Sequence, residues 1–246
     1  MAAVLNGKAN ILRFDNFSVG YHSPLFKIAS ASFEPGIIGI IGNNGKGKTT
    51  LLRSLSGLLP PLSGAATLNG KDILSVSGAE RAQWLSFNFS SNPVSFPISV
   101  YELVSLGRYP YTNHWAGLPD EDVTIVNECM ELCGITSFAQ RKVNALSDGE
   151  RQKAFIAKSL AQQTPLMLFD EPTAFLDYAS KKYFFNLMKK LAGEQGKIIL
   201  VSSHDIDFLT AYAGHLLMIQ DDEAVISGPV QEITGTGYFK MHFTHI

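Results

Sequence analysis

The chain has 246 residues, of which 46% are apolar, so it can form one large domain with a sizeable buried core. Its formal net charge is −2, which gives no sign of a nucleic-acid-binding surface, and we expect no nucleic-acid partner. The two cysteines, Cys129 and Cys133, are too few for a disulfide framework and, alone, make a poor metal site. The first residues lack the apolar core of a signal peptide, and no stretch is long and apolar enough to span a bilayer. We therefore expect a cytoplasmic protein, and any work at a membrane would need another chain to do the spanning.

The first part of the chain predicts strands around one helix. Residues 11–19 alternate apolar and polar, and residues 25–33 repeat the pattern after a turn, which predicts an antiparallel pair. Residues 37–41 are a β-branched run bounded by glycines, typical of a strand buried on both faces. Residues 49–55 predict a helix that stops at Gly57. Residues 65–73 then predict a strand, an Asn-Gly turn and a short strand.

The second part predicts a helical insert followed by alternating strands and helices. We interpret residues 88–144 as a helical subdomain inserted into a core of residues 1–87 and 145–246. Its helical segments are 99–107, 120–135 and 137–143. After it come helices 149–162, 178–192 and 205–213 and strands 166–170, 198–203, 216–220 and 223–227. The fold class is therefore α/β with a mainly parallel sheet, an N-terminal antiparallel β subdomain and an inserted helical subdomain.

A glycine-rich loop between the third predicted strand and the first predicted helix matches G-x-x-x-x-G-K-[ST], the pattern of a phosphate-binding P-loop. Glycines let backbone N–H groups turn toward a phosphate chain, and the helix start adds its positive dipole end. Lys48 would reach the β- and γ-phosphates of ATP, and the Thr49 hydroxyl would bind Mg²⁺. A simple glycine-rich turn is the alternative, and we expect Lys46 to be a solvated loop residue. The residues of the loop are Gly42, Asn43, Asn44, Gly45, Lys46, Gly47, Lys48, Thr49 and Thr50.

Two acids end the apolar strand 166–170, and a histidine follows the strand 198–203. Asp170 would order Mg²⁺, directly or through water, and Glu171 would polarise the water that attacks the γ-phosphate. His204 would contact the γ-phosphate and hold the water and Glu171, because ligands of such sheets bind at the carboxyl ends of strands. The alternatives are an ordinary strand end with solvated acids and a packed or surface histidine.

Ser147 and Glu150 have the spacing of a capping box at the start of the helix that follows. The same helix start, with Gly149 in its first turn, offers a hydroxyl, amide donors and a dipole to an anion. A purely structural cap and an anion site are both compatible with this pattern.

The order of these motifs along nearly the whole chain resembles an ATPase subunit of an ABC transporter. The residues that carry the resemblance are Tyr21, the P-loop, the segment 146–150 (LSDGE), the segment 166–173 (LMLFDEPT), Asp177 and His204. The resemblance implies a P-loop NTPase core and ATP hydrolysis. It also implies a homodimer whose subunits meet head to tail, each closing over ATP held by the other.

The resemblance assigns further roles to individual residues. Ser147 and Gly149 would bind the γ-phosphate of ATP on the other subunit, and Asp177 would lie at the subunit interface. Tyr21 would stack on adenine, although a plain turn tyrosine is the alternative. Asp148 and Glu150 depart from the family sequence LSGGQ, and we expect both to face away from the phosphate, with Glu150 occupied by the cap.

The family usually has a glutamine at the entrance to the helical subdomain, and here that position falls on Ser90. Three alternatives remain open. Ser90 acts through a bridging water, Asn88 or Asn92 substitutes for the glutamine, or the γ-phosphate is sensed more weakly.

Residues 100–115 are similar to the helical region of importer ATPases for iron–siderophore, haem and vitamin B12. This implies integral membrane permease subunits as partners and a place on the inner face of the cell membrane. Tyr101, Arg108, Tyr109, Tyr111 and Trp115 are of the kind enriched at interfaces, although core packing is the alternative for some.

Three other functions are compatible with a P-loop: an exporter motor, a soluble ABC ATPase and a small-molecule kinase. The sequence favours the importer motor and gives no information on the cargo. Residues 237–246 are apolar and aromatic for a surface tail, which favours packing on the core at a place that the sequence does not identify.

Overall fold

The computed structural model describes residues 10–89, 97–112 and 117–243. The smaller of the two β-sheets in these residues is antiparallel, and its strands come from the first part of the chain. The strands of this sheet lie in the order β2-β1-β4-β5. They are β1 Leu12–Gly20, β2 Pro24–Phe33, β4 Ser63–Leu68 and β5 Lys71–Asp72. All the pairings are antiparallel, so the predicted β1–β2 pair and the predicted strand–turn–strand segment are confirmed.

The larger sheet has six strands in the order β10-β9-β3-β8-β7-β6. They are β3 Gly36–Ile41, β6 Leu85–Asn88, β7 Leu166–Asp170, β8 Ile198–Ser202, β9 His215–Ile219 and β10 Val225–Pro229. All neighbours are parallel except β10, which is antiparallel to β9. The predicted mainly parallel sheet is therefore confirmed, with the short edge strand β6 in addition.

Both faces of the large sheet are buried, as the apolar strand β3 predicted. Ile38 and Ile40 of β3 belong to the core beneath the antiparallel sheet. Ile37 and Ile41 belong to the core on the opposite face, which the helices cover. Because alternate side chains of β3 point to opposite faces of the sheet, this strand contributes to both cores, and the alternation fixes its register.

Helices cover the sheet and form the insert. They are α1 Lys48–Ser56, α2 Gly78–Trp84, α3 Val100–Ser105, α4 Asp120–Leu132, α5 Asp148–Ala161, α6 Tyr178–Gln195, α7 Ile206–Tyr212, α8 Val230–Gly235 and α9 Gly237–Phe243. As predicted, α1 stops at Gly57, whose φ of 76° suits glycine. Within the described ranges, no helix has the length and apolar character needed to cross a membrane.

In the inserted region, α3 and α4 pack on each other and on α5. The prediction of a helix over residues 137–143 is wrong, because the described chain there holds only the short 3-10 helices Thr136–Phe138 and Val143–Ala145. Between them, Lys142 pairs with Ser99 in an isolated antiparallel bridge. That pairing requires extended backbone and so interrupts the helical pattern. The limits of the helical subdomain remain a prediction.

A buried ion pair holds this region together. Arg108 Nε lies 2.7 Å from Asp122 Oδ1, and both side chains are less than 10% exposed. Arg108 also donates to the Ala161 carbonyl oxygen at 2.8 Å, and its guanidinium lies over the Tyr111 ring. Arg108 is therefore not available to a partner surface, whereas Tyr109 is 58% exposed. Trp115 lies outside the described residues.

We predict that Arg108→Leu lowers the free energy of unfolding by about 3–5 kcal/mol, because it leaves the Asp122 carboxylate buried without its cation. Chemical denaturation of the nucleotide-free protein measures this change. Lys190→Ala is the control, since Lys190 pairs with Glu194 on the surface at 4.0 Å and should change stability by less than about 0.5 kcal/mol. Equal effects of the two substitutions would contradict the structural role of the buried pair.

Candidate active site

The P-loop, the two acids at the end of β7 and His204 lie together at one edge of the large sheet. Strands β3, β8 and β7 are adjacent and parallel, so their carboxyl ends lie side by side. The P-loop follows β3, Asp170 and Glu171 end β7, and His204 follows β8. This is the edge at which open α/β sheets bind ligands.

The P-loop has a backbone that suits glycine. Gly45 and Gly47 have φ values of 78° and 95°, a region in which side chains are strained. A Cβ on Gly47 would also lie 2.9 Å from Phe26 Cε1, so the start of β2 packs directly against the loop. Asn44 is exposed at the tip of the loop, and Thr50 is buried in α1.

Lys48 begins α1, and its side chain turns back into the loop. Its Nζ donates to the carbonyl oxygens of Gly42 at 2.7 Å and Asn43 at 3.3 Å. Burial lowers the pKa of Lys48, while the nearby carboxylates of Glu171 and Asp170 oppose that shift. The ammonium is thus held within the loop by two of the loop's carbonyl oxygens.

Asp170 is the buried centre of the site. Its carboxylate accepts hydrogen bonds from Thr49 Oγ1 at 2.9 and 3.0 Å and from Ser202 Oγ at 2.7 Å. A hydroxyl and a carboxylate so close together are hard oxygen donors, and this donor set fits Mg²⁺ bound with the help of phosphate oxygens and water. Among the described residues, no cluster of three or more histidine, cysteine or acidic side chains offers an all-protein metal cage.

Glu171 is held beside Asp170 in an unusual conformation. Its φ of 50° is rare for a side-chain-bearing residue, and its N–H donates to the Ser202 carbonyl oxygen at 3.1 Å. The carboxylate accepts from the His204 backbone N–H at 3.2 Å, and His204 Nε2 lies 3.3 Å from Oε1. Burial raises the pKa of Glu171, while His204 and Lys48 act against that shift.

The start of α5 forms the predicted capping box. Ser147 Oγ accepts from the Glu150 N–H at 3.3 Å, and the Glu150 carboxylate accepts from the Ser147 N–H at 2.8 Å. The expectation that Glu150 serves the cap is therefore confirmed. Asp148 pairs with Arg151 at 3.1 Å, and its side chain is 63% exposed.

The segment that ends at Asp177 lies against this helix start. A Cβ on Gly149 would come 3.0 Å from the Phe175 carbonyl oxygen. Asp177 caps α6 by accepting from the Ser180 N–H at 2.7 Å. Phe175 and Tyr178 on either side of it are exposed, which is unusual for large apolar residues so close together.

Of the remaining candidate residues that the structure describes, only Lys46 differs from the sequence-based expectation. Tyr21 lies in the turn between β1 and β2 and is exposed. Lys46, expected to be solvated, instead bonds to Asp221: its Nζ lies 3.1 Å from the backbone oxygen and 3.3 Å from Oδ1. Asn88 is buried at the end of β6, whereas Ser90 and Asn92 lie outside the described residues.

Sequence reasoning missed two residues of this edge, Ser202 and Asp221. Ser202 was visible only as one serine of a strand, and nothing in that pattern identified Asp170 as its partner. Asp221 lies in the turn after β9, and no spacing rule connects this turn to the P-loop.

We predict that Ser202→Ala lowers the free energy of unfolding by about 1–3 kcal/mol, because the buried Asp170 carboxylate loses a charge-assisted hydrogen bond. Ser54→Ala is the matched control. Ser54 is also fully buried, but its hydroxyl has no hydrogen-bond partner among the described residues, so its removal should be nearly neutral. Urea denaturation of both variants measures the difference, and a neutral Ser202→Ala would contradict the assigned bond.

The comparisons with known proteins agree with this geometry. Residues 26–174 match the family model described as ABC transporter. The chain is 40% identical over 204 residues to the achromobactin transport ATP-binding protein CbrD of Dickeya dadantii, covering 83% of this chain and 76% of that protein. It is 38% identical over 194 residues to the ferric enterobactin transport ATP-binding protein FepC of Escherichia coli, covering 79% and 72%. A dimeric structure of a bacterial ABC transporter cassette superposes with a TM-score of 0.79 at 25% identity, covering 89% of this chain and 98% of that one. The chain belongs to the ABC transporter family.

Proposed function

We propose that this chain is the ATP-hydrolysing motor subunit of an importer whose cargo is an iron chelate. The proposal of ATP hydrolysis rests on the contact of Thr49 with Asp170, beside which lie Glu171 and His204. The cargo class rests on the relatives, whose names describe achromobactin and ferric enterobactin transport. Haem or cobalamin are the other cargoes that the sequence of residues 100–115 suggests.

The P-loop binds the triphosphate of ATP. Its backbone amides surround the phosphates, and Lys48 leaves the carbonyl oxygens of Gly42 and Asn43 to contact the β- and γ-phosphates. Thr49 and Asp170 would hold Mg²⁺, which when bound would offset the negative charge of the phosphates. Tyr21 at the exposed turn stacks on adenine.

Glu171 acts as the general base. Its carboxylate takes a proton from the water whose oxygen attacks the γ-phosphorus, and the bond to the bridging oxygen of ADP breaks. Burial raises the pKa of Glu171 and so makes it a stronger base, while His204 holds it in place through two contacts. The strained backbone of Glu171 fits a residue whose position is set by function.

Each site needs a second copy of the chain. Ser147 opens α5, which packs on α3, α4 and β6, whereas α1 with its P-loop packs on β1, β6 and β7. The exposed start of α5 adjoins the exposed segment around Asp177, so the two form one surface that a head-to-tail partner can cover. Ser147 and Gly149 of one copy then bind the γ-phosphate held by the other.

The motor acts on integral membrane permease subunits. Closure around ATP and reopening after hydrolysis move the helical region of residues 97–112 and 120–145 relative to the partner. We expect Tyr109, which is exposed beside the buried Arg108, to contact a permease segment on the inner face of the membrane, because exposed aromatic residues are enriched at interfaces.

We predict that Glu171→Gln reduces kcat for ATP hydrolysis at least about a hundredfold, because the amide cannot accept the proton from water. Binding of MgATP should persist, since the phosphate-binding residues are unchanged. Phosphate release and calorimetric titration measure the two quantities. Glu194→Gln, on the exposed end of α6, makes the same chemical change and should leave both unchanged. Hydrolysis by Glu171→Gln at the rate of the unaltered chain would overturn the assignment of the base.

A second prediction concerns pH. His204→Gln removes the side chain whose electrostatic effect lowers the pKa of Glu171, so the pKa of Glu171 should rise further. Because the active form of the base is the carboxylate, the acid limb of the kcat profile should move to higher pH, with a lower plateau. His215→Gln, at the amino end of β9, should not move the limb. An acid limb that stays in place in His204→Gln would show that Glu171 does not control it.

A further inference from the structure

The turn after β9 is tied to the P-loop by a group of polar contacts. Asn43 Nδ2 donates to both carboxylate oxygens of Asp221, at 3.0 and 3.1 Å. Lys46 Nζ bonds to the Asp221 backbone oxygen at 3.1 Å and lies 3.3 Å from Oδ1. One aspartate thus holds two side chains on either side of Gly45, where an added Cβ would meet no atom within 4 Å.

The same aspartate is held from the other side by α9. The Asp221 backbone N–H donates to Tyr238 Oη at 2.8 Å, and His242 Nε2 lies 3.6 Å from Oδ2. The Tyr238 and His242 rings stack with centroids 4.0 Å apart. Phe239 of this helix is buried in the core, so α9 is a fixed support. The apolar segment 237–243 therefore packs where it can brace the turn behind the P-loop.

The contacts of Asp221 restrain the tip of the loop, whereas Lys48 and Thr49 anchor its other end. Glycines leave the loop with high conformational freedom, and binding a phosphate chain requires its amides to point inward. Because Asn43 and Lys46 are already fixed, the loop loses less conformational entropy when it binds the phosphates. The hydrogen bond from Asn43 also lowers the pKa of Asp221, so its carboxylate is ionised at neutral pH, and Lys46 offsets its charge near the phosphates.

We propose that Asp221 is a positioning residue for nucleotide binding, which holds the P-loop through Asn43 and Lys46 and transmits the support of α9 through Tyr238. The proposal rests on the proposed function, because it assumes that the loop binds ATP. In this role Asp221 acts through Asn43 and Lys46 and takes no part in the chemical step. Its loss should therefore weaken ATP binding and leave the chemical step nearly unchanged.

The test is the steady-state kinetics of Asp221→Ala with MgATP. The KM should rise about fivefold while kcat stays within about twofold, a size expected for one partly exposed ion pair and its hydrogen bonds. The KM of Asp221→Asn should lie between the KM of Asp221→Ala and that of the unaltered chain, because the new amide oxygen can still accept from Asn43. Tyr238→Phe removes only the hydroxyl that supports the turn, and its KM should rise about twofold.

Two control measurements separate this role from a general effect of surface charge. Asp222→Asn makes the same charge change one residue away without contacting the loop, and its KM should not change. In a double-mutant cycle, Lys46→Met should raise the KM less in the Asp221→Ala background than in the unaltered chain. Additive effects of Lys46→Met and Asp221→Ala would overturn the proposed contact.

The outcomes also separate this proposal from the proposed function. If the unaltered chain does not bind MgATP in a calorimetric titration, the proposed function fails and this proposal with it. If it binds and hydrolyses ATP but Asp221→Ala has the same KM, only the positioning role fails. A fall in kcat without a change in KM would likewise overturn the positioning role.

Discussion

The hydrogen bond between the Thr49 hydroxyl and the Asp170 carboxylate is the contact on which the rest of the site depends. It joins the start of α1 to the end of β7, and these are separated along the chain by 121 residues. Asp170 is almost fully buried, and a buried carboxylate is costly unless hydrogen bonds satisfy it. Ser202 supplies the remaining bond from β8, the strand between β3 and β7. The order of these strands therefore brings two hydroxyls, from Thr49 and Ser202, to one buried acid.

Much of the fold could be predicted because its patterns are local. The buried strands, the P-loop and the capping box each depend on residues close in sequence, and the structure contains all of them. The strand β6 was missed because its four residues, Leu85–Asn88, are too few to show a period. The helix expected over residues 137–143 was wrong because a bridge to Ser99, distant in sequence, requires extended backbone.

The candidate site also contains residues that the sequence identified and residues that it did not. Motif spacing indicated Lys48, Thr49, Asp170 and Glu171, because phosphate and metal chemistry constrain residue types at fixed offsets. It did not indicate that Lys46 is paired, since its partner Asp221 is 175 residues away. Contacts of this kind depend on the order of the strands in the sheet. The periodicity of apolar residues predicts the strands themselves but not their order.

We propose that two copies of the chain complete each site, and this can be tested directly by mixing two inactive variants. Lys48→Ala removes the P-loop lysine but keeps the start of α5 intact. Ser147→Arg disrupts the start of α5 but keeps the P-loop intact. In a head-to-tail dimer of the two, one site has an intact P-loop from one chain and an intact Ser147 from its partner. The account predicts that each variant alone hydrolyses almost no ATP and that the mixture regains activity. A mixture that stays as inactive as its components would contradict it.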